Sequence, residues 1–243
     1  MRSTLFISDL HLSETRPSVN ALFFRFLETA TSEAASLYIL GDLFDYWVGD
    51  DQLEHDVVGR KVAAALRDLS EAGTKIFLMH GNRDFLIGER FATEAGLILL
   101  PDPVLIELDS KPTLLLHGDT LCTDDIGYQQ FRLQACDPEW QREILAKPYP
   151  DRQALARSIR MQSDSEKSGK AEEIMDVTPG SVEAVFRSYA YPTIIHGHTH
   201  RPATHRHIVD GHVCQRWVLA DWHERGEYLR AFQGTLTRVS VGG

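Results

Sequence analysis

The most constraining feature of this chain is a set of five short apolar runs, each of which ends in chemically versatile polar residues. The runs are residues 5–7, 37–40, 76–79, 114–116 and 194–195, and the polar segments that follow them are 8–11, 41–42, 80–84, 117–119 and 196–200. Short continuous apolar runs of this kind are typical of strands that are covered on both faces. The sequence therefore predicts a largely parallel sheet core.

Helical patterns lie between the early runs. Residues 20–35 carry an apolar stripe, with Asn20 as the expected N-cap. Residues 53–72 carry a second stripe, and Gly73 suits the position just after a helix. Alternating strands and helices predict an α/β fold. Ligands in such folds bind beyond the C-terminal ends of the strands, and all five polar segments fall at those ends.

Residues 122–179 differ from the rest because they contain no strand-like run and predict helices. Within them, residues 126–170 hold eight Lys or Arg and six Asp or Glu, whereas the whole chain has a net charge of −10. Phe131, Trp140, Ile144 and Leu145 give this stretch apolar surface. We favour a substrate-facing lid. The alternative is a helical pair that packs on the core. Farther on, residues 217–220 and 228–232 predict two more strands.

Composition excludes several classes of function and location. A net charge of −10 argues against a nucleic-acid partner, because such binding begins with the neutralisation of phosphates. Three scattered cysteines argue against a disulfide scaffold and favour a reducing compartment. No apolar stretch approaches the roughly 20 residues of a membrane span. We therefore expect a cytoplasmic protein, and contact with a membrane surface stays open.

Seven residues at the strand ends can each ligate a metal ion. They are Asp9, His11, Asp42, Asn82, His117, His198 and His200. Their carboxylate, imidazole and amide donors suit Mn²⁺, Fe²⁺ or Zn²⁺, and the lack of cysteine argues against structural zinc. Seven ligands suit two ions, with Asp42 as the candidate bridge. Each residue alone fits a turn, a helix cap or a core histidine, so the joint pattern carries the prediction.

These residues stand in motifs that resemble those of the calcineurin-like metallophosphoesterases. The motifs are Asp9-x-His11, Gly41-Asp42, Gly81-Asn82, His117 and Gly197-His198-x-His200. The resemblance implies a double-sheet α/β sandwich flanked by helices, formed by residues 1–243 as one domain, with a helical lid at about 122–179. It also implies that Asp9, His11 and His200 hold one ion, that Asn82, His117 and His198 hold the other, and that Asp42 bridges them.

One position departs from the pattern of many family members. Where they carry a histidine acid after the Gly-Asn pair, this chain has Arg83. Arginine stays protonated and cannot act as a general acid, but it can clamp a phosphate and stabilise developing charge. Residues 42–51, 80–86, 117–125 and 195–202 resemble the branch of the family that hydrolyses UDP-2,3-diacylglucosamine in lipid A biosynthesis.

That branch implies a defined reaction. Water activated by two divalent ions, expected to be Mn²⁺, attacks the α-phosphate and yields UMP and 2,3-diacylglucosamine 1-phosphate (lipid X). Asp42, Asn82 and Arg83 would be catalytic. Substrate contacts are implied at Asn82, Arg83, Asp125, Ser163, Lys167, Lys170 and His198. The branch also implies peripheral contact with the cytoplasmic face of the inner membrane and no obligate protein partner.

Two other functions remain as alternatives. The chain could be another dinuclear phosphodiesterase or pyrophosphatase of the same fold, although Arg83 and the branch-like strings argue against that. It could also be a catalytically silent scaffold, although no ligand is missing. His80 and His196 either support the ligands or fill the core, and Asp84 is expected to orient His117 or Arg83. The remaining histidines, which include His223, are expected at the surface.

Overall fold

The first three apolar runs form neighbouring parallel strands in a computed structural model, which describes residues 2–167 and 176–241, without the side chains of residues 162–167. They are β1 (Ser3–Ile7), β2 (Ala34–Leu40) and β3 (Lys75–Met79). Beyond β3 lies β4 (Ile98–Leu100), which is also parallel, and beyond β1 lie the antiparallel β10 (Gly226–Phe232) and β11 (Thr235–Val241). The order of this sheet is β11-β10-β1-β2-β3-β4.

Three helices cover the outer face of this sheet: α1 (Pro17–Glu33), α2 (Val57–Glu71) and α3 (Glu89–Ala95). The predicted N-cap at Asn20 is wrong, because α1 already begins at Pro17, whose missing N–H suits a first helical position. The second helix begins later than predicted, because residues 50–54 form a 3₁₀ turn. Asp56 caps α2, since its Oδ1 accepts from the amides of Val58 and Gly59 at 2.8 and 3.0 Å.

The later apolar runs form a second sheet that packs against the first. Its strands are β5 (Val104–Leu108), β6 (Lys111–Leu116), β7 (Thr193–His196), β8 (Ala203–Val209) and β9 (His212–Val218), in the order β5-β6-β7-β9-β8. Phe6, Leu40 and Met79 from the first sheet meet Leu115 and Ile195 from the second in one buried cluster. The predicted double-sheet α/β sandwich is confirmed. Of the predicted strand 217–220, only the first two residues belong to β9.

The stretch between β6 and β7 is helical, as the sequence indicates. It contains α4 (Ile126–Ala135), α5 (Pro138–Leu145) and α6 (Tyr149–Lys167), and α7 (Pro179–Ser188) follows. Arg152 forms an ion pair with Asp51, and Arg160 forms one with Asp45, so α6 is held to the loop after β2. The lid function of this stretch stays a prediction.

Within the described ranges, no helix combines the length and the hydrophobicity that a membrane crossing requires.

Candidate active site

The two sheets bring the C-terminal ends of their parallel strands to one edge, and the seven predicted ligands meet there. Asp9 Oδ1 lies 3.4 Å from His200 Nε2, which in turn lies 3.4 Å from His11 Nε2. On the other side, Asn82 Oδ1 lies 3.0 Å from His117 Nε2 and 2.9 Å from His198 Nδ1. Six of the seven residues thus form two groups, Asp9, His11 and His200 against Asn82, His117 and His198, the division that the sequence resemblance implies.

Asp42 lies between the two groups. Its Oδ2 is 3.8 Å from His11 Nδ1, and its Oδ1 is 4.0 Å from His117 Nε2. One carboxylate oxygen therefore faces each group. This is the position that a bridging ligand needs.

Two buried polar atoms in this cluster lack hydrogen-bond partners within the part of the chain that the structure describes. They are Asp9 Oδ1 and His11 Nδ1. Orphaned buried acceptors cost free energy unless a cation or a donor reaches them. The donor atoms of Asp9, His11 and His200 lie within 4.8 Å of one another, as do those of Asp9, Asp42 and His117. These residues fit divalent cations.

Burial and mutual charge shift the pKa values of these ligands. Burial raises the pKa of Asp42 to about 7, despite the opposing charge of His117. Burial lowers the pKa of His117, but Asp42 and Asp9 outweigh this effect and raise it to about 9. Burial, assisted by the charge of His117, lowers the pKa of His198 to about 3. Metal binding requires an ionised Asp42 and a neutral His117, so it will release protons from this site.

Five of the ligands adopt left-handed backbone conformations, which the sequence analysis did not predict. The φ angles are 55° at Asp9, 51° at His11, 53° at Asp42, 68° at His198 and 54° at His200. Such conformations are uncommon outside glycine and persist where the surrounding structure enforces them. Asp and His are enriched among the non-glycine residues that adopt such conformations. Their residue types were therefore the one sequence signal that could have indicated these turns. The strained turns direct the side chains into the cluster.

Asp84 holds the turn at Asp42 and ties it to the loop after β3. Its buried carboxylate accepts hydrogen bonds from the amides of Gly81 at 2.8 Å, Leu43 at 2.7 Å and Asp42 at 3.3 Å. The prediction that Asp84 orients His117 or Arg83 is wrong, because these bonds go to the backbone. The two loops approach so closely that a Cβ at Gly81 would overlap the Asp42 carboxylate.

A chain of polar residues that sequence reasoning missed supports His200 from behind. Asp221 Oδ2 lies 3.3 Å from His200 Nδ1 and 2.6 Å from His223 Nε2. Arg16 Nη2 donates to His223 Nδ1 at 2.7 Å. A carboxylate behind a metal-ligating histidine fixes its orientation and tautomer. Asp221 follows the end of β9, as the other site residues follow their strands, but no sequence motif marks it.

His196 and His80 do not join the cluster, and each donates a hydrogen bond to a backbone carbonyl group. His196 Nε2 accepts from Arg216 Nη1 at 2.9 Å, and its Nδ1 donates to the Gly197 carbonyl at 2.8 Å. That bond lies directly before the loop that carries His198. His80 Nε2 donates to the Ile87 carbonyl at 2.7 Å. Both histidines therefore shape loops beside the ligands.

A large cavity of about 760 Å³, here called the apolar chamber, opens beside the cluster. Asn82, Arg83, Asp125, His198 and His200 line its polar end. Its other walls are mostly apolar and include Trp47, Leu86, Phe131, Trp140, Ile144, Leu155 and Ile159. The walls combine residues of the core with residues of α4, α5 and α6.

The other predicted substrate contacts have different outcomes. Asp125 Oδ1 accepts from the Tyr128 amide at 3.1 Å, so this residue also caps α4. Leu145, which adds apolar surface to the helical stretch, is 42% exposed and does not line the chamber, unlike Phe131, Trp140 and Ile144. The side chains of Ser163 and Lys167, and the whole of Lys170, lie outside the described residues.

Comparison with known proteins agrees with this geometry. The calcineurin-like phosphoesterase family model matches residues 2–202, and the chain belongs to that family. It is therefore an enzyme of the metal-dependent phosphoesterase class, whose cofactors are divalent metal ions. The family predicted from the sequence motifs is confirmed.

Two curated relatives are similar over nearly the whole chain. The UDP-2,3-diacylglucosamine hydrolase of Aromatoleum aromaticum is 52% identical over 228 residues, covering 94% of this chain and 92% of the relative. The protein of the same name from Chromohalobacter salexigens is 52% identical over 220 residues, covering 90% and 89%. Among solved structures, an archaeal phosphodiesterase aligns over 98% of this chain and 99% of its own, with 13% identity and a TM-score of 0.49.

We expect Asp84→Asn to lower both the stability and the metal affinity of the protein. The amide group leaves at least one buried N–H of the two loops without an acceptor, which costs about 2–3 kcal/mol. Urea denaturation and titration with Mn²⁺ measure the two effects. Asp68→Asn, at an exposed position of α2, is the matched control and should change neither. Unchanged Mn²⁺ affinity in Asp84→Asn would show that its hydrogen bonds do not position the ligands.

Proposed function

We propose that this protein hydrolyses the pyrophosphate bond of UDP-2,3-diacylglucosamine and releases UMP and 2,3-diacylglucosamine 1-phosphate (lipid X), a step of lipid A biosynthesis. The observation that carries the proposal is the junction of the candidate metal cluster with the apolar chamber at Asn82, Arg83 and His198. A substrate with a charged pyrophosphate and two acyl chains matches such a junction. The names of the relatives that are about half identical support the same substrate.

The seven clustered side chains would hold two divalent ions, which we assign as Mn²⁺. Asp9, His11 and His200 form one site, Asn82, His117 and His198 form the other, and Asp42 serves both. Bound ions of this kind lower the pKa of water and neutralise phosphoryl oxygens. The mixed oxygen and nitrogen donors, without sulfur, support a metal of that class.

Arg83 is the proposed clamp for the substrate phosphates. Its amide donates to Asp42 Oδ1 at 2.8 Å, which fixes its backbone against the candidate bridge. Its positive charge acts on both His11 and Asp42, so the guanidinium lies near two residues that would hold the ions. A guanidinium there can bind two phosphate oxygens and stabilise the negative charge that develops during attack.

We propose that the helical stretch 122–179 forms a lid of the single domain and encloses the acyl chains. Phe131, Trp140 and Ile144 support this role, since they line the apolar chamber. Asp125, Ser163, Lys167 and Lys170 are the further proposed substrate contacts. The ion pairs of Arg152 and Arg160 with the loop after β2 would hold the lid over the site.

We also propose that the protein is cytoplasmic and binds peripherally to the inner membrane. The same helical stretch exposes 68% of Ile126, 73% of Leu133 and 74% of Met161. Residues 126–170 within it hold eight Lys or Arg and six Asp or Glu, a net positive charge in an acidic chain. Exposed apolar side chains beside basic residues favour binding to an anionic lipid surface.

Flotation with anionic vesicles at low salt tests the membrane proposal. We expect co-flotation that neutral vesicles do not support, and Leu133→Ser with Met161→Ser should weaken it severalfold. The wild type remaining at the bottom of the gradient, while turnover persists, would contradict membrane binding.

Hydrolysis of UDP-2,3-diacylglucosamine by Mn²⁺-loaded protein in ¹⁸O-water tests the central proposal. Mass spectrometry should find the label in UMP and none in lipid X, which reports attack at the α-phosphate. Labelled lipid X would contradict that site of attack. If the protein hydrolyses a simple phosphodiester but not this substrate, the result would favour another phosphodiesterase of the fold. If it hydrolyses neither compound, the result would favour a scaffold.

Arg83→Ala should slow hydrolysis without loss of metal. The missing guanidinium removes about 2–4 kcal/mol of transition-state stabilisation. Steady-state kinetics and metal analysis of the same preparation measure the two properties. Arg83→Lys should recover only part of the rate, because lysine lacks the two-pronged geometry.

Asp42→Ala serves as the contrasting variant, with loss of both turnover and bound metal expected. Metal loss in Arg83→Ala would instead indicate that Arg83 holds the site together. Near-normal turnover of Asp42→Ala at saturating Mn²⁺ would contradict the bridging role of that residue.

A further inference from the structure

A second, smaller cavity meets the apolar chamber beside the candidate metal cluster. It has a volume of about 250 Å³ and is here called the polar pocket. Asn82, Phe85, Tyr128 and Phe131 line both cavities, so the two spaces share a wall at one candidate metal ligand. A substrate that is cleaved at the cluster can therefore extend one end into each.

The polar pocket has an unsatisfied acceptor on its wall. Asp102 Oδ1 is buried and has no hydrogen-bond partner among the residues that the structure describes. The other oxygen, Oδ2, lies 3.9 Å from Arg132 Nη2. A buried carboxylate oxygen without a donor is costly, so it marks a place where a ligand can donate a hydrogen bond.

Charge in the polar pocket excludes an anionic occupant. Arg132 is committed to Asp119, to whose Oδ2 its Nε donates at 2.7 Å. Tyr128 donates its hydroxyl hydrogen to the same oxygen at 2.6 Å. Two carboxylates, Asp102 and Asp119, thus face a single guanidinium. The pocket repels phosphate and favours a neutral group that presents an N–H.

The remaining walls of the pocket suit a flat ring. Phe85 and Phe131 contact each other edge to face, with ring centroids 6.4 Å apart, and Leu100 and Pro101 add apolar surface. Proteins recognise single nucleobases by stacking on aromatic side chains and by hydrogen bonds to the base edges. The volume of about 250 Å³ leaves room for a single pyrimidine ring.

We infer that the polar pocket binds the uracil ring of the nucleotide half of the substrate, with Asp102 Oδ1 accepting the hydrogen bond of the uracil N3–H. This inference rests on the proposed function, since it assigns a place to the base of UDP-2,3-diacylglucosamine. It also makes Asp102 a specificity determinant. Cytosine carries a lone pair at N3 and would turn it toward the carboxylate, so the pocket should reject cytosine.

Calorimetric titration of Mn²⁺-loaded protein with UMP, CMP and inorganic phosphate tests the base preference without any turnover. The titration is carried out at pH 8. A hydrogen bond to a charged acceptor predicts that UMP binds at least about tenfold more tightly than CMP. Equal affinities for the two nucleotides, or UMP no tighter than phosphate, would overturn the inference.

Asp102→Asn should abolish this preference. A carboxamide can accept from the N3–H of uracil or donate to the N3 of cytosine, so the ratio of the two dissociation constants should approach one. Asp68→Asn removes the same charge at a distant exposed position and should keep the wild-type ratio. A preference for UMP that persists in Asp102→Asn would overturn the role of Asp102, whatever the stability of the variant.

The location of the base can be measured independently at Cys136, an exposed thiol that lines the polar pocket. UMP should protect Cys136 from alkylation by iodoacetamide, whereas phosphate at equal saturation should not. Tight UMP binding without protection would place the base elsewhere and overturn the inference.

The outcomes separate this inference from the substrate proposal. Turnover of UDP-2,3-diacylglucosamine without discrimination between UMP and CMP removes only the uracil assignment. Discrimination and protection without turnover retain the uracil assignment and remove the diacylglucosamine substrate.

Discussion

The site depends on one buried carboxylate that holds two loops together. Asp84 accepts from the amides of Gly81, Leu43 and Asp42, and so ties the loop after β3 to the loop after β2. The loop after β2 carries the candidate bridge, and the loop after β3 carries Asn82. Left-handed backbone at a ligand such as Asp42 is unfavourable by itself, so it persists only where such hydrogen bonds enforce it. The relative placement of Asp42 and Asn82 follows from this backbone network.

Electrostatics explains how an acidic member of the phosphoesterase family can act on a phosphate group. The chain has a net charge of −10, and the side chains of the cluster are mainly carboxylates and imidazoles. Divalent ions reverse the local sign of the charge, and Arg83 adds a permanent positive charge beside them. With ions bound, positive charge would be concentrated at the place proposed for the substrate phosphates. The surrounding acidity disfavours nucleic acid and other extended anions.

The helical stretch between β6 and β7 links the chemistry to specificity. Its residues supply walls to both cavities, because Tyr128 and Phe131 of α4 lie between the apolar chamber and the polar pocket. Asp125 caps the same helix, which presents Arg132 to Asp119 and Asp102. One element therefore contributes walls to both cavities. The ion pairs of Arg152 and Arg160, in α6, connect the helical stretch to the loop after β2, which carries Asp42 of the candidate metal cluster.

The sequence by itself determined the five core strands, the family and the set of seven side chains that meet at the cluster. This was possible because each of those residues lies in the short polar segment after a buried apolar run, and the ends of parallel strands converge. Only the tertiary structure decided what Asp84, Asp221 and Asp102 contact, and that β8 and β11 complete the sheets. The partners of these residues are distant in the chain or are backbone amides, and edge strands lack a continuous apolar run. Local pattern therefore predicts which groups gather, whereas long-range packing decides which of them remain unsatisfied and available to a ligand.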